Sequence, residues 1–470
     1  MRYVEGKNRN QTEIIALDDM VSSTCIARII DRFVEAVDLV QLGFTHAIPK
    51  QTGRPSYSPS PMTKLYLYGY EEDIRSARKM EKETYRNIEV MWLVDGITPD
   101  FKTISEFRRN NLRPLQKLFR EFMKLCRSWD LIGGELIAVD GTKIKASNNK
   151  KMNFSRKKLD ARLAHIDEQI EKYFNEMEET DRREDAAVPD DLISLMERKD
   201  LYESYLAKLD ESGENELSIV DPDARLMGNN RGGVDMAYNV QSAVDAKYDL
   251  IVEYDVSTNP SDQNQLGSMV KKVKRRFKLK RFTVVADKGY YNGEDLQRVK
   301  KYKVKAIVAK QKPSNPKEQP AEFHTERFIY DPESDTYTCP MGKILAPHGQ
   351  KSKRRNYFCK EACADCPHRN QCISGKRPYR TVTRGEYSKI YEETDKRTQE
   401  NMAIYKRRQQ IVEHPFGTIK HTMRGNYFLL RTRRKVRTEV ALLFLGYNIK
   451  RVINILGFEE IMKRLDALIA

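Results

Sequence analysis

No stretch of this 470-residue chain holds the roughly 20 uninterrupted apolar residues that a membrane-spanning helix needs. The most apolar segment, residues 440–456, is broken by Lys450 and Arg451. The first residues include Glu5, Asn8, Asn10 and Glu13 and lack the apolar core of an export signal. A membrane role is therefore not expected, and a cytoplasmic location is. Cysteine is scarce at seven residues, and in a reducing compartment these are not expected to form disulfide staples. Acidic residues are outnumbered: 68 Asp and Glu stand against 84 Lys and Arg, a formal net charge of +16. An excess of that size calls for a polyanionic partner. Nucleic acid comes first and an anionic membrane surface second.

The length is enough for two or three domains with a sizeable core. Charge is unevenly spread. Residues 155–216 hold 10 Lys and Arg against 19 Asp and Glu, whereas residues 401–470 hold 14 against 5. The C-terminal part is the candidate nucleic-acid surface, and the acidic middle is a spacer or protein-contact element.

Helical spacing dominates the first 130 residues, as in Ile26, Ile29, Ile30, Phe33, Val34 and Val37. Ser60-Pro61 reads as an N-cap and first helical position. Residues 103–127 read as one helix with Phe107, Leu112, Leu115, Leu118, Phe119, Phe122 and Leu125 as its apolar face. Arg108, Arg109 and Arg113 fall on the other side, either as a solvated face or as part of a small DNA-binding domain. Gly133-Gly134 ends the helical run, and 136–139 reads as a buried strand closing on Asp140. Leu159, Leu163, Ile166 and Ile170, then Leu192, Leu195, Leu206 and Leu209, predict a helical hairpin turning at Pro189. Residues 236–244 and 250–256 read as a β-hairpin across Asp245-Ala246-Lys247. Residues 281–286 form a second buried strand, closing on Asp287, and 304–309 a third; 263–277 and 292–302 are helical. A Pro-rich linker occupies 313–320, and one long basic helix is expected over 389–423, carrying Glu413.

An Asp before Gly is usually a turn residue, and a Glu among basic residues usually a surface pair. Two strand-end Asp and a helical Glu together are more specific. Carboxylates at strand ends can meet in one crevice. Three of them suit Mg²⁺, which prefers carboxylate oxygens and accepts substrate phosphate, and two such ions can support phosphodiester cleavage.

Several segments together resemble the DDE transposases of bacterial insertion sequences, in the group with an N-terminal helical domain and a Cys-rich insertion. They are Tyr57-Ser58-Pro59 through Asn87, Thr103-Ile104-Ser105-Glu106-Phe107-Arg108, Ala138-Val139-Asp140-Gly141-Thr142, Tyr238-Asn239-Val240-Gln241, Ala286-Asp287-Lys288-Gly289-Tyr290 and Val412-Glu413-His414-Pro415-Phe416-Gly417-Thr418-Ile419-Lys420. The resemblance implies a ribonuclease H-like α/β catalytic domain over 133–455, preceded by an all-α DNA-binding domain over 1–130. A helical hairpin (155–216) and a Cys-rich module (320–380) would interrupt the catalytic domain, and basic helices (425–470) would close the chain. Asp140, Asp287 and Glu413 are implied as the catalytic, Mg²⁺-holding acids. Tyr405, Arg408, Glu413 and Lys420 fit the family's Tyr-Arg-Glu-Lys signature, with Arg408 five residues before the Glu, one more than the commoner spacing. Lys420, two helical turns beyond Glu413, would share its face. Pro415 is expected to kink that helix or start a new one. Lys143, Lys288, Arg408, Lys420, Arg108, Arg109 and the basic residues of 431–437 are the expected phosphate contacts.

Five cysteines lie at Cys339, Cys359, Cys363, Cys366 and Cys372, expected as a compact loop-rich unit. Thiolates at such spacing suit tetrahedral Zn²⁺. The family's pattern favours Cys339, Cys363, Cys366 and Cys372 as structural zinc ligands, leaves Cys359 spare and makes His348 and His368 weaker alternatives. Cys25 and Cys126 fall on apolar helical faces and are expected in the core. The implied activity is Mg²⁺-dependent cleavage at transposon ends followed by strand transfer into target DNA, by at least a dimer assembled on double-stranded DNA. The rival readings are a metal-dependent nuclease that does not join strands and a non-catalytic zinc-containing DNA-binding protein.

Overall fold

In the computed structural model, residues 14–49, 52, 55–180, 190–229, 232–311, 319–351, 353–373 and 377–469 are described. The chain forms two compact units. Met1–Gly133, Asp140–Ser261 and Ile411–Ala470 make the first; Gly134–Val139 and Asp262–Gln410 make the second. Strand β1 (Leu136–Lys145) is shared, passing from the second unit into the first at Asp140.

In the first unit β1 is followed by β2 (Arg225–Gly228), β3 (Val234–Asp245) and β4 (Leu250–Ser257). β3 pairs antiparallel with β2 over Arg225↔Ala237 to Gly228↔Val234 and with β4 over Asn239↔Ser257 to Asp245↔Leu250. Every residue of β4 is buried. Alternation is lost there because helices cover what would otherwise be its solvated face. Phe119 and Phe444 meet Tyr254 edge-on at 5.1 and 5.8 Å. Phe444 belongs to the helix Arg433–Leu456, buried without a break from Thr438 to Ile449. In that helix Asn448 accepts the Ile251 N–H at 3.0 Å and donates to the Ile251 carbonyl at 2.9 Å. No single described helix is long and apolar enough to cross a membrane.

The N-terminal helices belong to the same unit. Ile26–Glu35 buries Ile29, Ile30, Phe33 and Val34, as its spacing predicts. Cys25 is not in the core; it is the half-buried residue that caps this helix, while Cys126 is buried. The helix expected from Ser60-Pro61 starts two residues earlier: Ser58 caps it and Pro59 opens Pro59–Glu71. Residues 103–127 are two helices, Phe101–Asn110 and Leu112–Ser128. Asn111 divides them because its side chain accepts Thr45 N–H at 2.8 Å and donates to the Phe107 carbonyl at 2.9 Å.

The hairpin helices are Arg156–Thr180 and Asp190–Ser212, with Phe154, Leu159, Tyr205 and Leu209 packed at their base. The expected turn at Pro189 lies outside the described residues. Ser155 and Glu216 are register partners, so the insertion leaves and returns at adjacent points.

In the second unit β1 runs parallel to β5 (Thr283–Ala286), and β5 to β6 (Lys305–Val308). Short apolar runs suit such strands, which are buried on both faces. The helices Leu266–Phe277 and Gly293–Lys301 lie between them in sequence. Thr398, from the helix Ser388–Glu400, accepts the Val308 N–H at 3.2 Å and donates to its carbonyl at 3.1 Å. Most of the expected Pro-rich linker, 313–318, lies outside the described residues.

The cysteine segment is not loop-rich. Ile329–Asp331, Thr336–Thr338, Ile344–Lys351, Arg354–Phe358 and Val382–Gly385 form a five-stranded antiparallel sheet. Phe328, Tyr337, Leu345, Tyr357 and Val382 are its core, with Cys339, Cys359 and Cys372 packed against them.

Candidate active site

A cleft of about 460 Å³ in the first unit is lined by Asp140, Thr142, Lys143, Asn229, Glu413, Phe416, Lys420 and His421. Asp140 does not end its strand, as the sequence had suggested. Pairing with β5 stops at Val139, but β1 runs on to Lys145 and presents Asp140, half-buried, in mid-strand.

Glu413 projects from the helix Met402–Gly417, whose Ile411, Val412 and Phe416 are buried. Pro415 sits inside this helix and neither ends it nor starts a new one. The missing proline N–H is followed by a five-residue π turn, Thr418–Thr422, in which Thr418 Oγ1 donates to the His414 carbonyl at 3.1 Å. The 389–423 segment is thus two helices and a π turn, broken at Asn401. His414 Nδ1 meets Tyr447 Oη at 3.0 Å.

Lys420 stands in the π turn and lines the same cleft as Glu413. Its Nζ donates to Thr142 Oγ1. Burial pushes its ammonium below the usual lysine range, an effect opposed by the Asp140 carboxylate and reinforced by Lys143. The cleft therefore combines two carboxylates with two cationic side chains. Thr142, Asn229 and His421 complete it without having been expected from sequence.

In the second unit Asp287 follows Ala286, the last paired residue of β5, and leads into the turn Lys288–Tyr290. Tyr405 Oη donates to Asp287 Oδ1 at 3.5 Å, and the Arg408 guanidinium lies 3.7 Å from the same oxygen. Burial raises the Tyr405 hydroxyl above its ordinary value, and the Asp287 charge adds to the rise. Arg408 thus engages the Asp despite its unusual distance from Glu413. Lys288 is exposed. Val139 and Ala286 are register partners, and Asp140 and Asp287 are the next residue of each chain segment.

Residues 216–449 match a family described as "Transposase DDE domain", and residues 15–110 match one described as "Transposase domain (DUF772)". The chain belongs to the DDE transposases. The first match contains Asp287, Tyr405, Arg408, Glu413 and Lys420; Asp140 lies between the two matched stretches. No curated protein matches the chain. Among solved structures, a piggyBac transposase synaptic complex with hairpin DNA aligns at 9% identity and a TM-score of 0.31, over 94% of this chain and 76% of that one. A score that low assigns neither fold nor function.

In this transposase Arg108 does not face away from the apolar side. It is half-buried, 5.6 Å over the Tyr66 ring, and is drawn towards Tyr70 and Glu439. Arg109 is exposed and paired with Glu106 at 2.8 Å.

Cys339, Cys363, Cys366 and Cys372 line a single small cavity of about 30 Å³. Burial raises the Cys372 thiol, and the other three sulfurs add to the rise. Cys359 does not line that cavity and donates to Glu361 Oε2 at 3.6 Å. His348 stacks on Phe358, and His368 contacts Gln371 and Phe323. Among the described residues no group of three or more His, Cys, Asp or Glu is already disposed around a metal position.

Proposed function

We propose that this chain is a DNA transposase that cleaves DNA at the ends of its element and joins the freed 3′-hydroxyls to target DNA. Asp140, Asp287 and Glu413 are its catalytic acids. The observation that carries the reading is the cleft itself, where Asp140 and Glu413, far apart in sequence, line one cavity with Lys143 and Lys420. Two acids beside two cations suit a phosphodiester: the cations hold non-bridging oxygens, and the acids hold what relieves charge on the reacting ones.

The donor set is all carboxylate oxygen, which fits Mg²⁺. When bound, such ions lower the pKa of an attacking water and neutralise the leaving oxygen. Asp140, Glu413 and, on the family's pattern, Asp287 would hold them. The protein's own part is to orient the phosphate through Lys143 and Lys420. Tyr405 and Arg408 keep Asp287 in position. The mixed sheet with flanking helices supports a ribonuclease H-like catalytic domain over 133–455.

The donor chemistry of the four clustered thiols fits zinc, with Cys339, Cys363, Cys366 and Cys372 as ligands and a structural role. Phosphate contacts outside the cleft fall to Lys288, the basic residues of 431–437 and Arg109; Arg108, turned inward, supports the helices instead. Two element ends are handled together, so the working form is at least a dimer on double-stranded DNA in the cytoplasm.

Asp287→Ala is expected to lower cleavage of an end-containing duplex by at least about 1,000-fold while duplex affinity in EDTA stays. Parent-like cleavage by that variant would overturn the catalytic assignment. Pre-cut ends decide between transposase and nuclease, because a nuclease gives no joined product.

A further inference from the structure

Beyond Asp140, strand β1 continues into a second cleft that the cleavage chemistry does not use. It has a volume of about 750 Å³ and is lined by Lys145, Asn148, Asn149, Asn426, Tyr427 and Arg431 among others, all in the first unit. That size lies within the about 300–1,000 Å³ range of small-ligand sites.

Tyr427 gives the cleft its character. The residue is 43% exposed and lines the cleft. It is nevertheless not loose. The Arg75 guanidinium stands 4.6 Å from the ring centroid and is only 2% exposed. Arg75 donates to the Tyr427 carbonyl at 3.0 Å and to the Arg424 carbonyl at 2.8 Å, and it lies 3.6 Å from the buried Glu439. Glu439 in turn accepts the Leu429 and Leu430 N–H groups at 3.0–3.1 Å. Lys145 and Phe428 tie the same loop to β1, through Lys145 N–H to the Asn426 carbonyl at 3.3 Å and Phe428 N–H to the Lys145 carbonyl at 2.8 Å. An aromatic ring fixed by backbone and cation contacts has already lost its rotamer freedom, so a flat ligand can stack on it at little further entropic cost.

The surroundings specify the ligand. Lys145 and Arg431 are exposed cations suited to phosphate. Asn148, Asn149 and Asn426 offer amide donors and acceptors for a base edge. A π-face, amides and two cations are the requirements of a nucleotide. Within a duplex both faces of a base are covered by stacking neighbours, so the guest must be unpaired. β1 carries the chain from Asp140 to Lys145, five residues on. At about 3.3 Å per residue that is about 17 Å, the rise of about five base pairs.

We propose that this cleft takes one unpaired nucleotide of the DNA substrate, stacked on Tyr427, within about five positions of the scissile phosphate. The inference rests on the reading of the chain as a DNA transposase and adds a single-strand-selective subsite to it.

Binding by the full chain in EDTA tests it with three fluorescein-labelled probes: an oligo(dT) of about 12 nucleotides, a blunt duplex, and that duplex with an unpaired overhang. Tyr427→Leu is expected to weaken the oligo(dT) and overhang probes about tenfold and to leave the blunt duplex within about twofold, while Tyr427→Trp restores the parent pattern. Equal weakening on all three probes, or none on any, overturns the proposal. Parent protein that binds the blunt duplex with Tyr427→Leu unchanged on the others overturns the subsite and leaves the transposase reading standing. Parent protein that binds none of the three overturns both. A melting temperature measured for each variant separates lost stacking from lost folding.

Discussion

Two neighbouring carboxyl groups that share a hydrogen bond cannot both ionise freely, and the buried Glu71 and exposed Glu72 are such a pair. Glu71 is engaged by Lys450 at 2.8 Å, and its proximity, with burial, pushes Glu72 up to about 7. A raised carboxyl holds its proton longer folded than unfolded. Its contribution to stability is therefore full below the ordinary value of about 4.5 and is lost as pH rises through about 7. Glu72→Gln should remove that dependence. Urea unfolding at pH 5 and pH 8 should show the variant gaining on the parent at the higher pH by about 1 kcal/mol, the exposed site being screened. The cysteines give a second test at this scale. Metal analysis of the purified chain should find about one zinc per molecule, kept by Cys359→Ser and lost by Cys363→Ser. Loss in both variants would mean that the spare thiol had been misassigned. Sequence alone brought out the acids and thiols because their residue types and spacings carry the signal. Thr142 and Asn229 were invisible, since a threonine and an asparagine become site residues only through the side chains folding puts beside them. Arg108 misled for the converse reason: its inward turn depends on Tyr66 and Glu439, and Glu439 lies over three hundred residues away.

Among elements, strands and helices that obey one dominant period were legible. The β-hairpin of β3 and β4, the strands β5 and β6, and the helices 266–277 and 293–301 lie within a few residues of their expected places. Errors came where a polar side chain replaces a backbone partner. Asn111 splits one apparent helix into two, and the apolar rhythm runs on through the break. Pro415 was expected to kink its helix or start a new one; no new helix starts there, and a π turn follows it. Side-chain-to-backbone substitution also supports the sheet, because Asn448 meets both polar groups of Ile251 in full burial. Asn448→Leu would strand an N–H and a carbonyl, and chemical unfolding should show a loss of about 2–4 kcal/mol. A loss below about 0.5 kcal/mol would show that β4 finds other partners.

At the scale of the whole molecule, a basic chain carries one acidic arm. Residues 155–216 bring nine more negative than positive charges, and the arm begins and ends at the register pair Ser155↔Glu216. Replacing 156–215 with a short Gly-Ser linker should therefore leave the sheet folded. The shortened chain would be more basic by about eight charges and should bind non-specific duplex more tightly with a steeper salt dependence. Unchanged affinity and slope would mean that the arm lies outside the field felt by DNA. In any folded chain an unpaired strand edge invites an unwanted neighbour. β6 has β5 on one side, and on the other the Thr398 hydroxyl occupies the polar groups of Val308. One oxygen atom thereby acts as a seal against aggregation, and a valine of the same shape in its place would leave the transposase folded but prone to precipitate as its concentration rises.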